Sequence, residues 1–294
     1  MIIKKYEIIN NKANKNIKIA LFSDIHLSKT FKLKRFKQIL NNLKENKPNY
    51  ICITGDIVDK TNILDSKEYQ NLLLDFLKKL GKISPTYITL GNHDCLRKEN
   101  KKYKKENNAF WTKELQKLKK YNVFLLMNEI KTLENINFIS YITPYEYYYK
   151  NKKKDSKEIL IKDLSNKKEL FNQDNKKLNI LLFHDPYYIT NKEVIDKLKN
   201  IDIILSGHMH NGLIPNIIDK IFPKNRGLIA PNRKLYPDNA RGIKKIKYKG
   251  KEINLIISGG ITKISETSPK ILHFVDNLYK PQIEYLTIKN QKTN

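Results

Sequence analysis

The sequence predicts an α/β fold in which one sheet is covered on both faces and a second sheet packs against it. Three observations predict it. Short, near-continuous apolar runs alternate with stretches of helical spacing, the pattern of strands buried on both faces. Towards the carboxyl end the helical spacing fades and strand-like runs follow one another, which predicts the second sheet. Five of the apolar runs end directly in polar motifs built from Asp, His, Asn and Gly, so they end where a ligand site of an open α/β sheet gathers.

Ile17–Phe22 is the first core strand. Phe31–Lys47 has helical spacing in Phe31, Leu33, Phe36, Ile39, Leu40 and Leu43 and is closed by Pro48. Tyr50–Thr54 is a second strand, followed by a helix over Ser66–Leu80 with Gly81 as its stop. Thr86–Leu90 is a third strand and Phe110–Lys120 a further helix. Strands are predicted at Val123–Met127, Ile136–Tyr141, Leu178–Phe183 and Ile201–Leu205, then at Lys244–Tyr248, Ile253–Ser258, Ile271–Val275 and Ile283–Ile288. The sequence shows no internal repeat, and residues 1–294 read as one domain with insertions at about 144–177 and 213–241.

Composition narrows the class. Hydrophobic residues make up 40% of the chain, enough for a core. Two cysteines, Cys52 and Cys95, lie far apart without a CxxC spacing, which argues against a disulfide scaffold or zinc ribbon and fits a reducing compartment. No apolar run approaches the roughly 20 residues of a membrane span, so the chain reads as soluble and cytoplasmic. The net charge is +27, yet only five of the 57 basic residues are arginine. Lys, Asn and Ile are together abundant, the mark of A/T-rich codons, whereas a dedicated phosphate reader favours the planar fork of arginine. The charge therefore reads first as compositional bias and second as a polyanion surface.

The five motifs carry the chemistry. They are Asp24-Ile25-His26, Gly55-Asp56-Ile57-Val58-Asp59, Gly91-Asn92-His93-Asp94, His184-Asp185 and Gly207-His208-Met209-His210. Imidazole, carboxylate and amide oxygen are ligands for Mn, Fe or Zn. Five of the six histidines sit at strand ends; His273, within an apolar run, reads as structural. An i, i+2 spacing in extended chain aims Asp24 and His26, and likewise His208 and His210, at one face. Gly55, Gly91 and Gly207 mark turns where backbone must approach the site closely.

In this order the motifs resemble those of the calcineurin-like metallophosphoesterase superfamily, over nearly the whole chain from about residue 18 to about 288. The resemblance implies a four-layer α/β/β/α sandwich with two mixed β-sheets flanked by helices. It implies two divalent transition-metal ions (Mn, Fe or Zn). Asp24, His26 and His210 would hold the first, Asn92, His184 and His208 the second, with Asp56 bridging both. It further implies that a hydroxide bridging the metals attacks a phosphoester or pyrophosphate bond. His93 would face the substrate as the acid, and Asp94 would orient its ring. Leu181–Pro186, Leu205–His208, Ile256–Gly260, Gly227–Pro231 and Leu235–Pro237 are similar to the bacterial branch containing UDP-diacylglucosamine hydrolases. Met209 and Asn211 depart from that branch's usual Gly-His-Thr/Val-His-Gly-Gly.

The leading expectation is thus a phosphohydrolase of a small-molecule or lipid-linked substrate, with peripheral contact to an anionic inner membrane face as one further reading. A nuclease acting on nucleic acid is the second and a non-catalytic metal-binding scaffold the third. Arg97–Lys105 and Lys150–Lys154 are candidates for a basic rim. Tyr145–Lys154 reads equally as a substrate cap or as cover for the core edge. The run Leu213, Ile214, Ile217, Ile218, Ile221 and Phe222 reads as a packed insertion or a lipid contact.

Overall fold

The computed structural model describes residues 1–100, 102–149, 155–215, 218, 221–262 and 279–290. The expected strand at 271–275 with His273, the basic run at 150–154 and part of the apolar run after Leu213 lie outside them.

Two six-stranded mixed sheets form the centre. The first runs in the order β1 (Ile2–Ile9), β14 (Gln282–Lys289), β2 (Ile17–Phe22), β3 (Tyr50–Thr54), β4 (Thr86–Thr89), β7 (Val123–Leu125). The second runs β12 (Gly242–Tyr248), β13 (Lys251–Ile257), β11 (Ile203–Ser206), β10 (Leu178–Phe183), β9 (Ile136–Tyr141), β8 (Ile130–Thr132). Within the first sheet β2, β3, β4 and β7 are parallel, and β14, with β1 parallel to it, runs in the opposite direction. In the second, β13, β11, β10 and β9 are parallel and the edges β12 and β8 are antiparallel.

The period of two along each strand divides the core into three sheets of apolar contact. Ile17, Ile19 and Leu21 of β2 face β10 and β11, packing with Ile180, Leu182, Ile203 and Leu205. Ala20 and Phe22 point the other way, onto helices α1 (Lys34–Asn46) and α2 (Lys67–Ile83). Leu181, Phe183 and Ile204 face helices α4 (Ser156–Asn166) and α6 (Lys192–Lys197) on the far side. Helix, sheet, sheet and helix are therefore stacked in four layers.

Several elements differ from expectation. Helix α2 does not stop at Gly81 but continues to Ile83. That glycine serves packing: a Cβ there would stand 1.9 Å from the Tyr121 carbonyl oxygen, so only Gly lets the 110–121 segment lie against the helix. That segment is not regular α-helix but a wide turn at Phe110–Glu114 followed by a tight one over Leu115–Tyr121. Strand β1 was not expected; it is an edge strand, half exposed along most of its length, paired in parallel with β14 from Ile2 opposite Gln282. A hairpin of β5 (Leu96–Glu99) and β6 (Lys102–Lys105) stands beyond the first sheet. The 144–177 insertion holds α3 (Tyr145–Tyr148), α4 and α5 (Lys168–Phe171). In the 213–241 insertion Ile214 is buried and Ile221 exposed, and the Arg241 guanidinium donates to the Phe222, Pro223 and Arg226 carbonyls.

Candidate metal centre

All five motifs lie at the carboxyl ends of parallel strands, β2, β3 and β4 from one sheet and β10 and β11 from the other. The first two loops run side by side beyond their strands: the Asp24 N–H donates to the Gly55 carbonyl at 3.0 Å and the His26 N–H to the Asp56 carbonyl at 3.0 Å. The chain there is not extended as expected. Asp24, His26, Asp56, His208 and His210 all hold φ between 49° and 67°. This left-handed region is unfavourable for non-glycine residues and persists only where surrounding contacts enforce it. Coiling at each strand end, rather than pleating, brings the paired side chains together, while Ile25 and Met209 between them are buried. The glycines act as expected: a Cβ on Gly91 would meet Asp56 Oδ1 at 2.2 Å, and one on Gly207 would meet Ser23 Oγ at 2.4 Å.

Six of the seven expected ligands fall into two groups, and the seventh, Asn92, precedes His93 on the β4 loop. Asp24, His26 and His210 present ligand atoms within 4.8 Å of one another, as do Asp56, His184 and His208. His210 Nε2 lies 3.7 Å from Asp24 Oδ1, and His26 Nε2 lies 3.9 Å from it. Asp56 Oδ2 stands between the groups, 3.7 Å from His26 Nε2 and 3.2 Å from His184 Nε2. Backbone carbonyls set two of the rings: His184 Nδ1 donates to Thr54 O at 2.6 Å and His210 Nδ1 to Thr262 O at 2.9 Å. A carbonyl only accepts, so Nδ1 carries the proton and Nε2 is left for the site.

The electrostatics are those of a cation-binding cluster. Burial depresses the His184 pKa, but Asp56 more than offsets it and the value rises to about 10. Burial also opposes the proton on His26, and Asp59 and Asp56 outweigh it, bringing the pKa to about 9. At His208 burial and the neighbouring His184 act together and hold the pKa near 3. Asp56 is held well below the usual carboxylate range because His184, His93 and His26 outweigh its burial.

One residue takes a different place from the expected one. Asp94 does not orient the His93 ring. It is fully buried, and its carboxylate accepts the backbone N–H groups of Ile57 at 2.8 Å, Val58 at 3.0 Å and Gly91 at 2.8 Å. It thus joins the second loop to the third. The ring of His93 is set instead by Asp59, whose carbonyl oxygen lies 2.6 Å from Nδ1. The Asp59 carboxylate also stands 3.5 Å from His26 Nδ1. His26, Asp59 and His93 make a third group of clustered ligand atoms, in which the His93 ring is bonded through Nδ1 to the Asp59 carbonyl.

The insertion after Pro144 reaches this site. Tyr148 packs its ring 5.5 Å from the ring of His208, and burial raises the pKa of the Tyr149 hydroxyl, with nearby Asn92 acting in the opposite direction. Sequence reasoning left this segment open because the pairing depends on where α3 docks. Arg97, in the expected rim, is tied to Asp65 at 2.7 Å and to Glu99 and Glu106 at 3.2 Å.

Among the described residues, His26 Nε2, Asp56 Oδ2 and Asn92 Oδ1 are buried polar atoms without a hydrogen-bond partner. Orphaned buried acceptors are costly, and a cation would satisfy these. The donor set of imidazole nitrogen, carboxylate and amide oxygen fits a divalent transition metal. Fold and site together define a metal-dependent phosphoester hydrolase. Residues 17–212 match the family model of calcineurin-like phosphoesterases, and the chain belongs to that family.

Curated proteins that it resembles bear only the general description of uncharacterized metallophosphoesterase. An uncharacterized metallophosphoesterase of Aquifex aeolicus is 28% identical over 79% of this chain and 80% of its own length. One of Campylobacter jejuni is 26% identical over 72% of this chain, which spans about half of that relative (49%). One of Bacillus subtilis is 36% identical over 26% of each chain. Members of this family typically bind a dimetal centre. Among the described residues no helix is long and apolar enough to cross a membrane.

Proposed function

We propose that the chain is a binuclear-metal phosphohydrolase of a small-molecule or lipid-linked phosphoester. Asp24, His26 and His210 would hold one ion, Asn92, His184 and His208 the other, and Asp56 both. The observation that carries this reading is the set of orphaned atoms, with Asp56 Oδ2 facing both histidine groups. Two bound divalent ions supply Lewis acidity and a nucleophile at neutral pH.

This chain's own residues do the rest. Asp56 Oδ1 accepts the His93 N–H at 2.9 Å, so the bridging carboxylate also seats the acid. With Nδ1–H on the Asp59 carbonyl, His93 can present Nε2 to the leaving alkoxide and hand it a proton. The Asp59 carboxylate stands behind His26, 3.5 Å from its Nδ1.

The test combines metal analysis with a substrate panel. After manganese loading, elemental analysis should find about two ions per chain. Asp56→Ala should lose more metal than any other single ligand change. The panel holds an aryl monoester, an aryl diester, a nucleotide-sugar pyrophosphate and DNA. Turnover of small esters or the pyrophosphate supports the proposal. Folded protein that binds no metal sinks it, and cleavage of DNA with micromolar binding at physiological salt promotes the nuclease reading instead.

A further inference from the structure

A cavity of about 160 Å³ opens beside His208, between the two insertions. Its walls include Tyr147, Tyr148, Tyr187 and Tyr188, and Asp185 and His208 also line it. The tyrosine rings meet at near right angles: 87° between Tyr147 and Tyr148, 83° between Tyr147 and Tyr188, and 86° between Tyr187 and Tyr188. Asp185 is buried, its Oδ1 accepting the Tyr187 N–H at 2.8 Å and its Oδ2 lying 3.7 Å from His208 Nε2. Among the described residues no Lys or Arg lines the cavity, in a chain of net charge +27. Lys234 stands outside, its ammonium 5.5 Å from the centre of the Tyr187 ring.

The geometry points to a subsite for an alkylammonium group, of the ethanolamine or choline type, carried on the phosphoester. This rests on the hydrolase reading above and deepens it by naming the substrate's substituent. Ring faces carry the negative part of the aromatic quadrupole, and four tyrosine rings share the walls of this cavity. The Asp185 carboxylate in the lining adds to that potential, and a second phosphate would be repelled by it. The volume admits a small head group rather than a nucleoside. Tyr148 and His208 both line the cavity, their ring centres 5.5 Å apart, so a short spacer connects an ammonium here to a phosphate at the proposed metals. The observed Lys234–Tyr187 contact shows that one wall ring already faces a cation from outside.

The test uses the manganese-loaded full chain and the isosteric pair choline and 3,3-dimethylbutanol, which differ only in the charge at the branched centre. By calorimetry choline should bind at least tenfold tighter, as should choline phosphate over 3,3-dimethylbutyl phosphate in KM for phosphate release. Tyr188→Leu should abolish that preference with metal content unchanged, whereas Tyr188→Phe, which keeps the ring face, should retain it. Equal binding of the two alcohols, tighter binding of the neutral one, or preferential binding of glucose overturns the inference. Turnover of p-nitrophenyl phosphate reports on the hydrolase reading separately: turnover without choline preference removes only the subsite. Comparing choline phosphate with phosphatidylcholine vesicles assigns the source as a free ester or a lipid head group.

Discussion

Asp94 shows how a residue in a catalytic motif can act through the backbone alone. Its carboxylate gathers three buried N–H groups from two loops. Leaving them without a partner costs about 1–3 kcal/mol for each group that stays dry. Asp94→Ala should therefore lower the melting temperature and lose metal and activity together, while Asp94→Asn keeps one acceptor oxygen and part of both. Thermal unfolding alongside elemental analysis reads this out. His93 should behave in the opposite way. His93→Ala should keep the metals and the melting temperature but slow turnover by roughly 10²–10⁴-fold. The loss should be smaller for p-nitrophenyl phosphate, whose leaving group needs no proton. Loss of both metals in that variant would instead make His93 a ligand.

At the scale of elements, parallel strands are what place the site. Because β2, β3 and β4 share a direction, their three loops leave the sheet on one edge, and β10 and β11 deliver two more from the neighbouring sheet. The helices have a packing role behind them, and Gly81 is the sharpest case. In an exposed helix Gly→Ala is stabilising by about 1 kcal/mol. Here the added methyl would collide with the Tyr121 carbonyl and approach Val123 Cγ2 at 2.8 Å. Gly81→Ala should therefore destabilise by about 1–3 kcal/mol as an overpacked contact. Chemical denaturation with an unchanged m-value checks the sign.

For the whole molecule, the proposed metals sit where two sheets meet, so binding should stabilise the sandwich. An ion present at a hundred times its Kd adds about 2.7 kcal/mol. For a chain of 294 residues that corresponds to a rise in Tm on the order of 4 °C for each ion. Scanning calorimetry with and without chelator should show it, and Asp56→Ala should abolish the difference. An unchanged Tm in protein shown to hold metal would mean that the ions bind the unfolded chain as well. The lysines are a separate matter. Many described ones are paired or lie on outer surfaces, such as Lys79 with Asp75 and Lys249 with Asp196. Such exposed pairs contribute little to stability.

The sequence by itself determined the strands that carry the motifs and the identity of the polar residues at their ends. Both follow from short-range rules: apolar runs of strand length must be buried, and polar groups cluster where such strands stop. It also determined that Gly55, Gly91 and Gly207 stand where a side chain would collide. Tertiary structure alone decided what those polar residues touch. Asp59 and Asp94 both follow a motif aspartate or histidine in sequence, yet one sets two histidine rings and the other ties two loops together. Nothing local separates them, because each partner is contributed by another segment. The left-handed backbone of Asp24 and His26 was likewise decided by the adjacent loop, through the Gly55 and Asp56 carbonyls that accept their amides. Strand β1 exists because β14 offers it an edge, across nearly the whole chain length. The tyrosine box depends in the same way on α3 meeting the loop after His184, a contact between segments about forty residues apart that no periodicity in either one encodes.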